Sequence, residues 1–337
     1  MSEKSCGANC AAANEGRVAD LFLPSAAPRL MEAEASLPPG ITVFERGWLS
    51  SNSILLQGKE QSVLVDSGYC THAAQTLMLL GQRLGDRALD QLINTHLHSD
   101  HCGGNAGLQQ RYPRMTTRIP SGQSTYVVPW DDEALSYKST GQQCPQFSFS
   151  AVLEPGQELE LADALWQIHA APGHDPHAVM LFEPRSRTLI SGDALWEKGF
   201  GVVFPELEGA SAFDEVGATL DVIEALEPRI VIPGHGRAFP AVAKSLAWAR
   251  KRLEGFASDP TKHAQYAAKV LLKFKLLEVQ RISMDLMVAW CQSTPYLGLV
   301  QRRYFSEMAL EQWIDALIVD LVRAGAATRV AGVVFNA

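Results

Sequence analysis

The sequence has no uninterrupted run of the ~18 to 20 apolar residues that a membrane-spanning helix requires. Its first residues, MSEKSCGANCAAANEG, lack the apolar core of a secretory signal. The expectation is a soluble, cytoplasmic protein with no membrane partner. Cysteine is scarce. The six, Cys6, Cys10, Cys70, Cys102, Cys144 and Cys291, follow no repeating spacing along 337 residues, which argues against a disulfide framework and for reduced thiols. An excess of positive charge is missing too: the formal net charge of −8 points away from general nucleic-acid affinity and toward a small-molecule substrate. Internal repeats are absent.

What is present is an ordinary globular composition, 47% hydrophobic, on a chain longer than the ~100 to 200 residues of one domain. Residues 1–39, rich in Ala, Ser, Pro and Gly and ending in Leu-Pro-Pro-Gly, read as a flexible N-terminal arm. Cys6 and Cys10, four apart in that arm, would make at most half a metal site, and a mobile tail is the simpler reading. From Ile41, the short runs ITVFERG, SNSILLQG and QSVLVDSG predict antiparallel strands. A helix over Thr71 to Leu84 follows, then the strand QLINTHL. Further strands are expected at Met115–Ile119, Leu165–Ala170, Val179–Phe182, Thr188–Ser191 and Arg229–Ile232, with a helix at Phe213–Leu226.

Chemistry-bearing residues gather in four places, each at the end of an apolar run: HLHSDH (His96, His98, Asp100, His101), PGHDPH (His174, His177), SGDALW (Asp193) and PGHG (His235). Strand ends hold ligands rigidly while the following loops leave a side open to substrate, as a catalytic metal requires. Imidazole and carboxylate donors without a cysteine cage suit zinc, iron or manganese in a reactive site. His96 and His98, one residue apart, can grip one ion while Asp100 and His101 turn toward a second. Cys102 follows a ligand directly and is either a soft donor or a small buried thiol.

This set resembles the metallo-β-lactamase superfamily, whose pattern H-x-H-x-D-H, then one His, one Asp and a final His, is matched at all seven positions in a glyoxalase II-like arrangement. The resemblance covers residues 40–240. It implies an α/β (α+β) fold, an αββα sandwich with the metal pair at one edge. His96, His98 and His174 would hold the first metal; Asp100, His101 and His235 the second; Asp193 would bridge them. Asp66, in VLVDSG, matches the family's first motif and is read as orienting a ligand histidine rather than touching the metal.

Two divalent ions, zinc foremost with iron or manganese as alternatives, would activate a solvent-derived nucleophile and polarise a carbonyl or phosphoryl oxygen. Asp100 and Asp193 would help place the proton on the leaving group. His177 is either a proton donor or substrate contact, or a local packing residue. The reaction class is metal-dependent hydrolysis of a small-molecule ester, thioester or lactone. The alternatives are an endoribonuclease or phosphodiesterase of the same fold and a mono-iron persulfide dioxygenase-like enzyme; a diiron flavoprotein reductase would carry Glu at His98. Aromatics between Pro120 and Pro155 (Tyr126, Trp130, Tyr137, Phe147, Phe149) either form a lid favouring an acyl or lactone group, or a local hydrophobic cluster.

Past Gly236 the chain turns helical, at Lys244–Phe256, Ala264–Leu277, Val279–Cys291 and Ser306–Ala324, and closes on a short hairpin beyond Gly325. Residues 241–337 thus read as a helical, winged-helix-like C-terminal domain. Between Lys244 and Arg303, eleven Lys or Arg face four acidic residues. That excess would serve a nucleic-acid-binding module; otherwise the charges are spread over helix surfaces and the module packs on the hydrolase domain or makes a homodimer.

Overall fold

The short apolar runs β1 (Ile41–Phe44), β2 (Ser53–Gln57) and β3 (Ser62–Val65) open the first sheet. These strands pair antiparallel in chain order. A computed structural model describes residues 36–337, so residues 1–35 of the expected N-terminal arm, Cys6 and Cys10 included, lie outside the described residues. Three parallel strands extend the sheet: β4 (Gln91–Ile93), β5 (Thr116–Pro120) and β6 (Ala151–Leu153). A second sheet holds β7 (Glu158–Leu161), β8 (Ala164–Ala170), β9 (Val179–Glu183) and β10 (Thr188–Gly192) antiparallel, with β11 (Ile230–Pro233) parallel to β10. The short strands β6 and β7 were not among those expected.

Because successive side chains point to opposite faces, Ile54, Leu56, Val63 and Val65 meet Ile168, Leu181, Ile190 and Ile232 between the sheets. Leu55 and Leu64 point outward, onto Leu80 and Leu84 of α1 (Ala73–Leu84). The first sheet's outer layer also includes α2 (Ser99–Cys102) and α3 (Asn105–Arg111). Across the molecule, Leu189 and Val231 face α4 (Ala212–Leu226) and α5 (Val242–Ser258) through Leu220, Ile223 and Leu246. The fold is an αββα sandwich of two mixed sheets. Burial on both faces explains why these strands read as short continuous apolar runs.

The C-terminal region is helical: α6 (Pro260–Val279), α7 (Met284–Ser293), α8 (Pro295–Tyr304) and α9 (Leu310–Arg323), with β12 (Arg281–Ser283), β13 (Ala327–Val330) and β14 (Val333–Asn336) in a three-stranded antiparallel sheet. It has its own core, including Leu272, Leu276, Met287, Leu297, Trp313 and Leu317. The helix expected over Val279–Cys291 is corrected. Gln280 at φ +63 ends α6, residues 281–283 pair with β14, and the Ser283 hydroxyl caps a new helix at Leu286 N. Helix α8, with Pro295 in its first turn, was not anticipated. Among the described residues no helix is long and apolar enough to cross a membrane.

Helix α6 is fastened to the sandwich at both ends. Tyr69, wholly buried, donates its hydroxyl proton to Glu278 (2.9 Å) and accepts from Gln143 N (3.1 Å). Near the other end, His263 Nε2 accepts from Val203 N (3.0 Å).

Candidate metal centre

Parallel pairing puts several strand ends on one edge. In β10 and β11 the register sets Gly192 beside Pro233, so Asp193 and His235 emerge together. Between them sits Gly234, where a Cβ would overlap Asp193 Oδ1, so only glycine lets the two loops approach. In the other sheet β3 ends at Asp66 and β4 leads into His96 and His98. Asn52 ties the sheets at this edge, donating from Nδ2 to Pro233 O (3.0 Å) and Gly236 O (2.7 Å).

Donor atoms of His96, His98 and His174 lie within 4.8 Å of one another; the same holds for Asp100, His101 and His235, and for His96, His101 and Asp193. Asp193 stands between the first two groups, 3.4 Å from both His101 Nε2 and His174 Nε2 and 3.8 Å from His235 Nε2. All seven residues singled out as ligands are thus brought together. His96 Nε2 and His101 Nε2 are buried without a hydrogen-bond partner, and the two rings are 4.0 Å apart. Desolvated nitrogens turned toward one another are unfavourable unless a cation sits among them. The residues therefore fit a metal.

The supporting contacts fix which nitrogen is offered. Asp66, at φ +59 and wholly buried, accepts from Thr95 N (2.9 Å), Thr95 Oγ1 (2.8 Å) and His101 Nδ1 (2.8 Å). It belongs to none of the donor groups, and its strained backbone is held by those three bonds. His174 Nδ1 donates to Val202 O at 2.5 Å, Trp196 Nε1 donates to Asp193 Oδ1 at 3.1 Å, and Trp48 stacks on His235 with ring centres 5.1 Å apart.

Burial alone would raise the Asp193 carboxyl pKa, but the imidazoles of His235, His101 and His174 reverse this and hold it well below the usual carboxylate value. Asp100 is lowered likewise, by His101 and His235 against burial. Burial, then the neighbouring histidines, drives His96 well below 6.5; burial and His174 take His98 to about 4. His101 moves upward, because Asp66, Asp193 and Asp100 outweigh its burial. Ionised Asp100 and Asp193 beside neutral His96 and His98 are in the protonation states that metal ligands need, while His101 would give up a proton when a metal binds.

The cluster floors a cavity of about 730 Å³, open mouth included. Trp48, Trp196 and Phe204 line it, and α6 supplies Tyr266, Val270, Leu271, Phe274 and Leu277. The segment 120–155 contributes only Ser136, Thr140 and Gln142. Its aromatics Trp130, Tyr137, Phe147 and Phe149 instead pack with Leu97 and Ile119 in a separate cluster, and Tyr126 is exposed. The aromatic lid is therefore corrected to a local hydrophobic cluster.

Residues 46–235 match the metallo-beta-lactamase superfamily. The chain belongs to that superfamily. It is 27% identical over 237 residues to human (Homo sapiens) acyl-coenzyme A thioesterase MBLAC2, covering 62% of this chain and 82% of that protein. It is 30% identical over 113 residues to the hydroxyacylglutathione hydrolase of Synechococcus sp. (strain JA-3-3Ab), covering 34% of this chain and 37% of that one. The superfamily protein TTHA1429 of Thermus thermophilus shares the fold at a TM-score of 0.53 and 20% identity, over 90% of this chain and all of that one.

Within this superfamily frame, some residues fall elsewhere than the sequence suggested. His177 does not line the cavity; its ring lies against Gly122, where a Cβ would overlap it, so the local packing reading replaces the proton donor. From the same loop it is buried Asp175 that nears the cluster, 3.9 Å from His98 Nε2. Cys102 is a buried thiol, 3.2 Å from Tyr137 Oη and 3.8 Å from Cys144 Sγ, and belongs to no donor group. The α6 wall, Trp48 and Asp175 were missed, since only folding brings them to the edge.

About half of the basic residues of the C-terminal region are committed to internal contacts. Arg250 pairs with Asp221 and Glu224, Lys262 with Asp259, Lys269 with Asp320 and Lys275 with Glu278. Arg252 stacks 4.4 Å over Tyr266, and Lys273 is buried, donating to Ala326 O and Asn336 Oδ1.

Proposed function

We propose that the protein is a metal-dependent hydrolase of a small-molecule ester-type bond, a thioester foremost. The observation that carries this reading is the overlap of three His and Asp donor groups at the floor of an apolar-walled cavity. The relatives named as a thioesterase and as a hydroxyacylglutathione hydrolase support the choice of bond. His96, His98 and His174 would hold one divalent ion and Asp100, His101 and His235 another, with Asp193 between; the donor set suits zinc first, then iron or manganese. Such ions, when bound, lower the pKa of water and polarise a carbonyl oxygen.

The chain's own residues do the rest. Asp66 accepts a hydrogen bond from His101 Nδ1–H and Val202 O accepts one from His174 Nδ1–H, leaving both Nε2 lone pairs toward the floor. Trp196 anchors one oxygen of Asp193. The apolar walls keep bulk water from the reacting carbonyl. The oxygen of one water adds to the acyl carbon, the carbon–sulfur bond breaks, and Asp100 or Asp193 passes that water's proton to the departing sulfur, giving acid and thiol.

Two features disfavour the alternatives. Several of the basic side chains that a phosphodiester backbone would need, Arg250, Lys269, Lys275 and Lys273 among them, are tied to acids or buried. A single-iron oxygenase would leave Asp100, His101 and His235 without a task, although they form a complete second donor group. His96→Ala and Asp193→Ala are expected to abolish thioester turnover and to lower bound metal by elemental analysis. Full activity in either variant contradicts the assignment.

A further inference from the structure

Resting on the hydrolase reading, we infer that the α6 wall is an acyl-binding subsite and that the substrate is a thioester or ester of an unbranched apolar acid, its chain laid along the helix. Val270, Phe274 and Leu277 stand at i, i+4 and i+7, and Tyr266 one turn earlier, so they form one stripe. All four line the cavity. The opposite side of α6, with Ala268, Leu272 and Leu276, is fully buried in the C-terminal core. Tyr266 and Val270 also touch the C-terminal core, but Val270, Phe274 and Leu277 are only half-buried, so the stripe presents apolar surface to an open concavity.

The dimensions and the chemistry of the walls agree with that occupant. From Tyr266 to Leu277 the helix rises about 16 Å, enough for a chain of many methylenes. Ser136, Thr140 and Gln142 also line the cavity and offer it polar groups, suited to a more polar leaving group. Among the described residues lining the cavity there is no Lys or Arg, so an anionic chain would meet no fixed countercharge along the wall. The wall is also held rigidly. Tyr69, Gln143 and Glu278 bond at one end of α6 and His263 bonds Val203 near the other. A pre-formed wall of fixed length selects its ligand without paying to order it.

The test is a series of straight-chain acyl thioesters, acetyl to tetradecanoyl, with the zinc-loaded full chain, its Val270→Trp variant, which fills the stripe, and Leu277→Ala, which trims its far end. Calorimetric binding of dodecanoate gives a readout that needs no turnover. We expect kcat/KM to climb roughly two- to fourfold per added methylene until the chain outruns the wall. In Val270→Trp the dodecanoyl-to-acetyl ratio falls at least about tenfold and dodecanoate binds more weakly. Leu277→Ala, a milder change that covers the case of a misfolded Val270→Trp, lowers the ratio for the longest chains only. Hydrolysis with a flat chain-length profile, or a profile unmoved in both variants, overturns the subsite and leaves the hydrolase standing. If no member is hydrolysed, the hydrolase reading fails and calorimetry decides the subsite: weaker dodecanoate binding in Val270→Trp supports it, and unchanged or absent binding overturns it.

Discussion

The floor and the wall of the cavity are built in opposite ways. The floor takes its seven donors from loops at strand ends in both sheets, with buried carboxylates and carbonyls behind them. The wall takes five side chains from one helix and leaves three of them half-buried. A floor position is fixed by sheet register, close glycine packing and a hydrogen-bonded partner at once, so it tolerates little change. A wall position is fixed by helical periodicity and by the packing and end contacts that hold α6 as a whole. On the proposed reading, the comparison teaches that the reaction type and the choice of substrate sit on separate structures, so that the second can vary without disturbing the first.

Substitutions that strike one region and spare the other sharpen the contrast. The largest effect is expected at Asp66. Asp66→Ala should weaken metal binding about 10- to 100-fold by freeing His101 Nδ1, measured by competition with a chelating dye; unchanged affinity would remove Asp66 from the floor. Next comes the fastening of the wall. Tyr69→Phe deletes the hydroxyl shared by Glu278 and Gln143 N and should cost about 1 to 2 kcal/mol in urea unfolding, with metal affinity unaltered.

A smaller, pH-dependent effect is expected at His263. Burial, and then Arg252, lowers its pKa from 6.5 to about 3. Between those values the unfolded chain binds a proton that the folded chain refuses, so the stability His263 contributes is complete above pH 6.5 and is lost as pH falls toward 3. His263→Gln should therefore lose less stability than the wild type between pH 7 and pH 4.5, as equilibrium unfolding at the two values would show; equal losses would contradict it. The least effect belongs to the surface. Arg250→Ala, breaking exposed pairs with Asp221 and Glu224, should change stability by no more than about 0.5 kcal/mol in the same assay.

The floor was legible in the sequence because its chemistry is local: His96, His98, Asp100 and His101 fall within six residues, and His174, Asp193 and His235 each follow an apolar run. Asp66 could be read as a supporting carboxylate for the same reason. The wall was not legible. Val270, Phe274 and Leu277 carry an ordinary helical apolar period, and nothing nearby in sequence says which buried face meets a core and which a cavity. Trp48 and Asp175 gain their places only when distant loops converge. His177 was attractive because it follows His174 by three residues, yet the loop turns its ring to Gly122. The break after α6 did leave a local signal, the Ser283 cap, but it lies inside what periodicity alone reads as continuing helix, and Pro295, which opens α8, falls between the expected helices.

The central claim is that the seven donors hold a pair of metal ions for hydrolysis. The most direct measurement is metal content of the purified full chain together with its turnover of a panel of thioesters, lactones, simple esters and phosphodiesters, RNA included. Close to two metal ions per chain, with thioester turnover that a chelator removes and added zinc restores, is the predicted result. One ion per chain with no member of the panel hydrolysed would contradict it.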